Sequence, residues 1–319
     1  MTREIIRPNG SRKALPRYHI LEKIGRGGMS VVYKARDTRL KRLVALKFLP
    51  EGACEDGEAC ERLQEEARIA SALNHPNICT VFDIDESSVG PFIVMEFMDG
   101  RTLRQTLSER YLTLKETLSY GMQIADALTA THANGVVHRD VSSSNLFITR
   151  NGRVKLMDFG LATDALKTSS PQPGSATVTG TLSYMSPEQA QSGIVDNRSD
   201  IFSAGVVLYE MLVHQRPFRG DTIADTIRQI LCAKPPGLRQ INPLIPAAFE
   251  KAVNKCLEKR ADQRYQTAEE LRFALSKVRC HGIPGGGVLA VRSAGETPSA
   301  LDHSTVRICD FTRLSIFPS

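Results

Sequence analysis

Apolar positions change their period part-way along this chain. Over residues 18–25, 31–35 and 43–49 they come in short runs rich in Val, Ile, Leu, Tyr and Phe, divided by glycine-rich or charged turns, which predicts strands. Residues 58–73 read as a helix. Leu63, Ala67 and Ala70 fall on one face and charged residues on the other, and the pattern breaks at Asn74-His75-Pro76, where proline bars continuation. Two further strand-like runs, 79–84 and 92–97, complete a small sheet carrying one helix. After Asp99-Gly100 the helical period takes over. Leu114, Leu118, Met122, Ala125 and Leu128 predict a long amphipathic helix ending at Asn134-Gly135. Residues 201–213 are apolar almost throughout but too few to span a bilayer, and they include Glu210, so they predict a buried helix. Thr267-Ala268-Glu269-Glu270 predicts a capping box opening a last helix, with Leu271 and Leu275 on its inner side.

No internal repeat interrupts this order, and from residue 283 onward no period is sustained. The organisation expected is a basic arm over residues 1–17, a domain over 18–281, and a linker or disordered tail over 282–319. The domain divides into a β-rich lobe (18–97) and a larger helical lobe (98–281), joined by a hinge near residues 96–98. The fold class is α+β and bilobal, with a cleft between the lobes.

Composition narrows this only slightly. The 319 residues carry a formal charge of +6, of which the first 17 hold +4 and the last 38 none. The basicity is thus largely a short solvated arm, and no nucleic-acid partner is expected. The seven cysteines are scattered, with no C-x-x-C pair and no zinc spacing, as in reduced thiols of a cytoplasmic protein. No secretory signal and no membrane segment are legible.

Chemistry enters with three short stretches. Gly25-Arg26-Gly27-Gly28-Met29-Ser30-Val31-Val32 is a glycine-rich turn between two predicted strands, where backbone N–H groups can approach a polyphosphate closely. His138-Arg139-Asp140 is followed by Asn145, and Asp158-Phe159-Gly160 comes next. Between the first and second stretches, Ala45 and Lys47 lie two apart on one strand face, and Glu65 and Glu66 sit in the predicted helix. Each stretch alone is a weak pattern. In this order and at these intervals, from about Tyr18 to about Cys280, the chain resembles the serine/threonine protein kinases, and bacterial members in particular.

That resemblance implies ATP as substrate with Mg2+ or Mn2+, and phosphoryl transfer to a serine or threonine of a protein, including a second copy of this chain in trans. Lys47 would reach the α- and β-phosphates and pair with Glu66, Glu65 being the lesser candidate. Asp140 would orient or accept the hydroxyl proton, and Asn145 and Asp158 would hold the metal. Val32 and Ala45 would enclose the adenine, with Met95, Glu96, Met98 and Leu146 completing the nucleotide pocket. His138 and Phe159 are expected to pack. Arg139 would receive a phosphate on the activation segment at Ser175, Thr177, Thr179 or Thr181. Glu188, in Ser186-Pro187-Glu188, would tie to Arg264, and Asp200 would anchor the catalytic loop.

One position departs from the family. Ser142 stands two places after Asp140, where a lysine usually contacts the γ-phosphate. Losing one charged contact costs about 2–4 kcal/mol in the transition state, roughly 10²- to 10³-fold in rate. A pseudokinase that binds nucleotide or serves as a scaffold is therefore the alternative.

Overall fold

The computed structural model describes residues 5–6, 12–13, 16–26, 30–49, 57–87, 90–159 and 182–279. Gly27, Gly28 and Met29, and the segment holding Ser175, Thr177, Thr179 and Thr181, lie outside the described residues. Two short strands, β1 (Ile5–Ile6) and β2 (Arg12–Lys13), pair antiparallel ahead of the main body. Five strands then form one antiparallel sheet: β3 (Tyr18–Arg26), β4 (Val31–Asp37), β5 (Arg42–Phe48), β6 (Val81–Ser87) and β7 (Gly90–Glu96), in the order β3-β4-β5-β7-β6. The helix α1 (Gly57–Ser71) lies across one face.

Alternation along β5 and β7 decides what each face does. Val44, Leu46 and Phe48 pack with Tyr18, Ile20, Ala35, Phe92 and Val94 in one buried cluster. The intervening residues belong to the other face. Ala45 lies opposite Met95 and Lys47 opposite Ile93 in the register, and Ile93 packs against Leu63 and Ala67 of α1. The same side chains that make α1 amphipathic thus bring it to the face carrying Lys47. The strand expected over residues 79–84 begins only at Val81. Ile78 instead bridges Leu156, and Cys79 N donates to Leu156 O at 2.9 Å.

The larger lobe opens with β8 (Gly100–Thr102), α2 (Leu103–Glu109) and α3 (Leu114–Ala133). Both helices carry full capping boxes, at Thr102/Gln105 and Thr113/Glu116. β9 (Leu146–Thr149) and β10 (Val154–Leu156) join β8 in a three-stranded sheet ordered β10-β9-β8. Next come α4 (Pro187–Ala190), α5 (Asn197–Val213), α6 (Ile223–Cys232), α7 (Leu238–Ile241), α8 (Ala247–Cys256), a 3-10 turn (Ala261–Gln263) and α9 (Ala268–Ser276). α5 is the central helix, buried from Ser199 to Val213 except at Glu210. A Cβ at Gly205 would stand 2.5 Å from the Cβ of Cys256, so only glycine admits α8 this closely. The cap of α9 differs from expectation. Thr267 accepts from Glu270 N, but the Glu270 carboxylate takes the N–H of Gln266 rather than that of Thr267, so half a capping box forms. Among the described residues no helix is long and apolar enough to cross a membrane.

Candidate active site

Lys47 is a buried lysine, and burial alone would strip its charge. Two carboxylates prevent this: its Nζ lies 2.7 Å from Glu66 Oε1 on α1 and 2.8 Å from Asp158 Oδ1 in the larger lobe. Burial lowers the Lys47 pKa, but Asp158 and Glu66 together outweigh it and hold it above the usual lysine value. Asp158 answers in kind: burial disfavours its carboxylate, yet Lys47 at hydrogen-bond distance keeps its pKa below the usual range. Glu66 is raised, because burial and the nearby negative charges of Asp158 and Asp140 exceed the pull of Lys47. Glu65 plays no part here and pairs with Arg68 at 2.5 Å. Behind the three charges, Ala67, Ala70, Cys79, Val81, Ile93, Met95, Met157 and Phe159 line a narrow cavity. Burial pushes the Cys79 thiol far up, so it packs there as an inert apolar group.

The catalytic loop hangs on the buried carboxylate of Asp200. Its Oδ2 accepts His138 N at 2.8 Å and its Oδ1 accepts Arg139 N at 2.7 Å, while His132 Nε2 lies 2.8 Å from Oδ2. Two charge-assisted bonds to successive N–H groups hold Arg139 at φ 66, a left-handed conformation that a side chain resists. His138 is fully buried and tilted against Phe159, with ring centroids 4.9 Å apart. Its Nε2 faces Met157 O at 3.0 Å and its Nδ1 accepts Asp140 N at 3.3 Å, which assigns a single neutral tautomer. Burial holds it neutral by lowering its pKa. Asp140 receives Asn145 Nδ2 on its carboxylate at 2.7 Å and on its carbonyl at 2.9 Å. Burial pushes the Asp140 pKa up to about 6, against the pull of Asn145.

Glu188 and Arg264 meet as a fork, Nη1 to Oε1 at 2.7 Å and Nη2 to Oε2 at 2.8 Å. The other Arg264 donors go to the carbonyls of Glu258, Arg198 and Lys259, so this buried guanidinium has all its N–H groups satisfied. A second tie escaped sequence reasoning. Ser143 Oγ lies 2.8 Å from Tyr184 OH, which donates to Glu210 Oε2 at 2.6 Å, and Gln189 Nε2 donates to Arg139 O at 2.8 Å. Tyr184 and Gln189 stand in the stretch Tyr184-Met185-Ser186-Pro187-Glu188-Gln189, which resembles bacterial kinases, but nothing in it announces these contacts, whose partners lie about 40 and 50 positions away.

The remaining pocket residues divide. Val32 is half-buried and Ala45 buried on β4 and β5. Arg26 pairs with Val31 and Gly25 with Val32 at a bulge, and Ser30 follows the undescribed tip. Among the described residues a Cβ on Gly25 would meet only Val32, at an ordinary 3.7 Å, so none of them demands glycine there. Met95 lines the inner cavity and Met98 lies half-buried beyond β7. Glu96, expected to help complete the nucleotide pocket, has its carboxylate engaged within the chain: its Oε1 accepts Thr80 N at 2.7 Å and Lys155 Nζ at 2.6 Å. Leu146 is also corrected. It is fully buried in the large-lobe core, while Phe147 keeps exposed surface on the opposite face of β9. Lys155 lies opposite Phe147 in the register and reaches Glu96. Cross-strand partners share a face, so it is Phe147 that looks toward the hinge.

Asp158, bonded to the Lys47 ammonium, and Asn145, bonded to Asp140, offer two hard oxygen donors. Among the described residues no three His, Cys, Asp or Glu side chains cluster as a metal cage. Such a sparse set suits Mg2+, which keeps waters and phosphate oxygens in most of its octahedral positions.

Comparison with known proteins agrees with this geometry. The protein kinase domain family matches residues 18–273. A probable serine/threonine-protein kinase of Streptomyces coelicolor is 42% identical over 280 residues, covering 86% of this chain and 42% of its own length. The serine/threonine-protein kinase PrkC of Bacillus subtilis is 38% identical over 256 residues, 80% of this chain and 39% of its own. PknB of Mycobacterium tuberculosis is 40% identical over 267 residues, 82% of this chain and 43% of its own. The chain thus spans about two fifths of the length of these relatives. The crystal structure of the Mycobacterium tuberculosis PknI kinase domain superposes with a TM-score of 0.65 at 25% identity, covering 82% of this chain and 96% of that one. A lysine clasped by carboxylates from both lobes, a loop hung on a buried aspartate and a match along most of the chain lead to one assignment: this chain belongs to the protein kinase family.

Proposed function

We propose that the chain transfers the γ-phosphate of ATP to serine or threonine hydroxyls of protein substrates. The observation that carries this reading is Lys47 bonded to Glu66 and Asp158 together, at 2.7 and 2.8 Å, because productive phosphate placement needs both partners in position. Asp158 and Asn145 would hold Mg2+, or Mn2+ in its place, which when bound with ATP offsets the charge on the phosphates. Lys47 orients the α- and β-phosphates. Asp140 holds the substrate hydroxyl and takes its proton as the oxygen bonds to the γ-phosphorus and the bond to the β-phosphate oxygen breaks, releasing ADP. A carboxylate whose pKa is near 6 is ionised yet basic enough for that role at neutral pH. Arg139 would receive a phosphate placed by the chain on Ser175, Thr177, Thr179 or Thr181, with charge-assisted bonds ordering the segment.

One observation favours a second reading, a pseudokinase. Ser142 is 2% exposed, so the hydroxyl that stands where the family has lysine offers no surface to a phosphate. Incubating the chain with labelled ATP, Mg2+ and a generic basic protein separates the two. Transfer that Asp140→Asn cuts by about 10²- to 10⁴-fold, with phosphate mapped by mass spectrometry to residues 175–181, is the expected result. Nucleotide binding with no transfer, unchanged by Asp140→Asn, would establish the pseudokinase.

A further inference from the structure

Lys155 is a buried charged residue that the reaction above does not use. It sits in the middle of β10, with a side chain 10% exposed, where a strand lysine is ordinarily solvated. Its Nζ donates to Glu96 Oε1 at 2.6 Å and to Ile78 O at 3.1 Å. Glu96 is the last residue of β7 and leads directly into the connection between lobes. Its carboxylate also accepts Thr80 N at 2.7 Å, and its own N–H goes to Thr80 O at 2.9 Å. The segment between α1 and β6 is stitched to the same strand, by Leu156 N to Asn77 O at 2.8 Å and Cys79 N to Leu156 O at 2.9 Å. A single ammonium on the large-lobe sheet therefore holds two small-lobe segments, the end of β7 that leads into the interlobe connection and the stretch between α1 and β6.

We propose that Lys155 is a positioning residue for the nucleotide: through Glu96 it fixes the interlobe connection, and so sets the small-lobe elements that carry Val32, Ala45 and Lys47 against the large-lobe pair Asn145 and Asp158. Ionic bonds with little solvent access tolerate small changes of angle poorly, so the clasp fixes one lobe spacing rather than allowing a range. The face of β10 that bears Lys155 also bears, on β9, the half-buried ring of Phe147. The clasp and the surface available to a base thus lie side by side. The role rests on the phosphotransferase reading, since it presumes a nucleotide between the lobes.

The test uses the full chain, with the KM for Mg-ATP, the KM for the protein substrate, kcat and the Kd of a fluorescent ADP analogue as readouts. Lys155→Met alone removes the cation facing the half-buried Glu96 carboxylate, so the decisive variant is the neutral pair Glu96→Gln with Lys155→Met, which removes both charges at once. The expected result is a melting temperature close to wild type, a KM and Kd for nucleotide raised at least fivefold, and a protein-substrate KM changed less than twofold. A folded pair variant with wild-type nucleotide affinity overturns the proposal, as does an equal loss on both substrates that merely follows lowered stability. Wild-type protein that takes up no nucleotide overturns the phosphotransferase reading itself, a failure distinct from the other two.

Discussion

On the proposed reaction, the Asp140 carboxylate sets the acid limit of activity. The ionised carboxylate is the form that can accept a hydroxyl proton, and burial raises its pKa to about 6. Activity is therefore full above that value and is lost as the pH falls through it. Lys47, held above the usual lysine range, and Asp158, held below the usual carboxylate range, keep their charges across the same interval. Glu66, raised by burial, adds to the same limb and leaves its sign unchanged. Because kcat/KM reports groups of the free enzyme, its logarithm should decline below about pH 6 with a slope of at least one, steeper where Glu66 protonates as well. A profile flat down to pH 5, or a limb centred above pH 7, would contradict the role given to Asp140. At this scale the motifs named Lys47, Asp140, Asn145 and Asp158, and the structure brings Lys47 to Asp158 and Asn145 to Asp140, while their roles in the reaction remain proposals. The sequence was not legible for Leu146, because alternation along β9 says that Leu146 and Phe147 face opposite ways without saying which face the core covers.

At the scale of elements, ties between distant segments matter more than the helices they join. The Glu188–Arg264 fork links α4 to the turn before α9, with Ser199 of α5 donating to the same carboxylate at 2.5 Å. Glu188→Ala would leave a buried guanidinium without its anion, and such losses cost about 3–5 kcal/mol. Chemical denaturation should show the midpoint falling accordingly. Arg260→Ala, which breaks an exposed pair with Asp262, should leave the midpoint where it is. Equal midpoints for the two variants would show that the fork does not act as a buried tie. Apolar periodicity located α1, α3 and α5 because each buries a stripe or a whole surface that the local sequence must supply. The cap of α9 was misread because Glu270 had two N–H groups within reach, and geometry selected that of Gln266.

Across the whole molecule, charged contacts that join the lobes include Lys47 with Asp158 and Lys155 with Glu96 and the Ile78 carbonyl, beside the backbone bonds of Asn77 and Cys79 to Leu156. A ligand that bridges the same cleft binds the folded state alone and stabilises it by mass action. Mg-ADP at a hundred times its Kd should add about 2.7 kcal/mol, seen as a raised melting temperature that Lys47→Met largely removes. No shift at saturating Mg-ADP would speak against a nucleotide site between the lobes. The sequence by itself determined the order of the strands and helices, the change of period that separates the lobes, and the motif residues with their spacing, since these depend on neighbours a few positions apart. Only the tertiary structure decided that the Glu96 carboxylate serves Lys155, that Phe147 rather than Leu146 looks toward the hinge, and that Tyr184 and Gln189 reach the catalytic loop. Those outcomes turn on which buried charge finds which partner across tens of residues, and that pairing is fixed when the lobes close on one another.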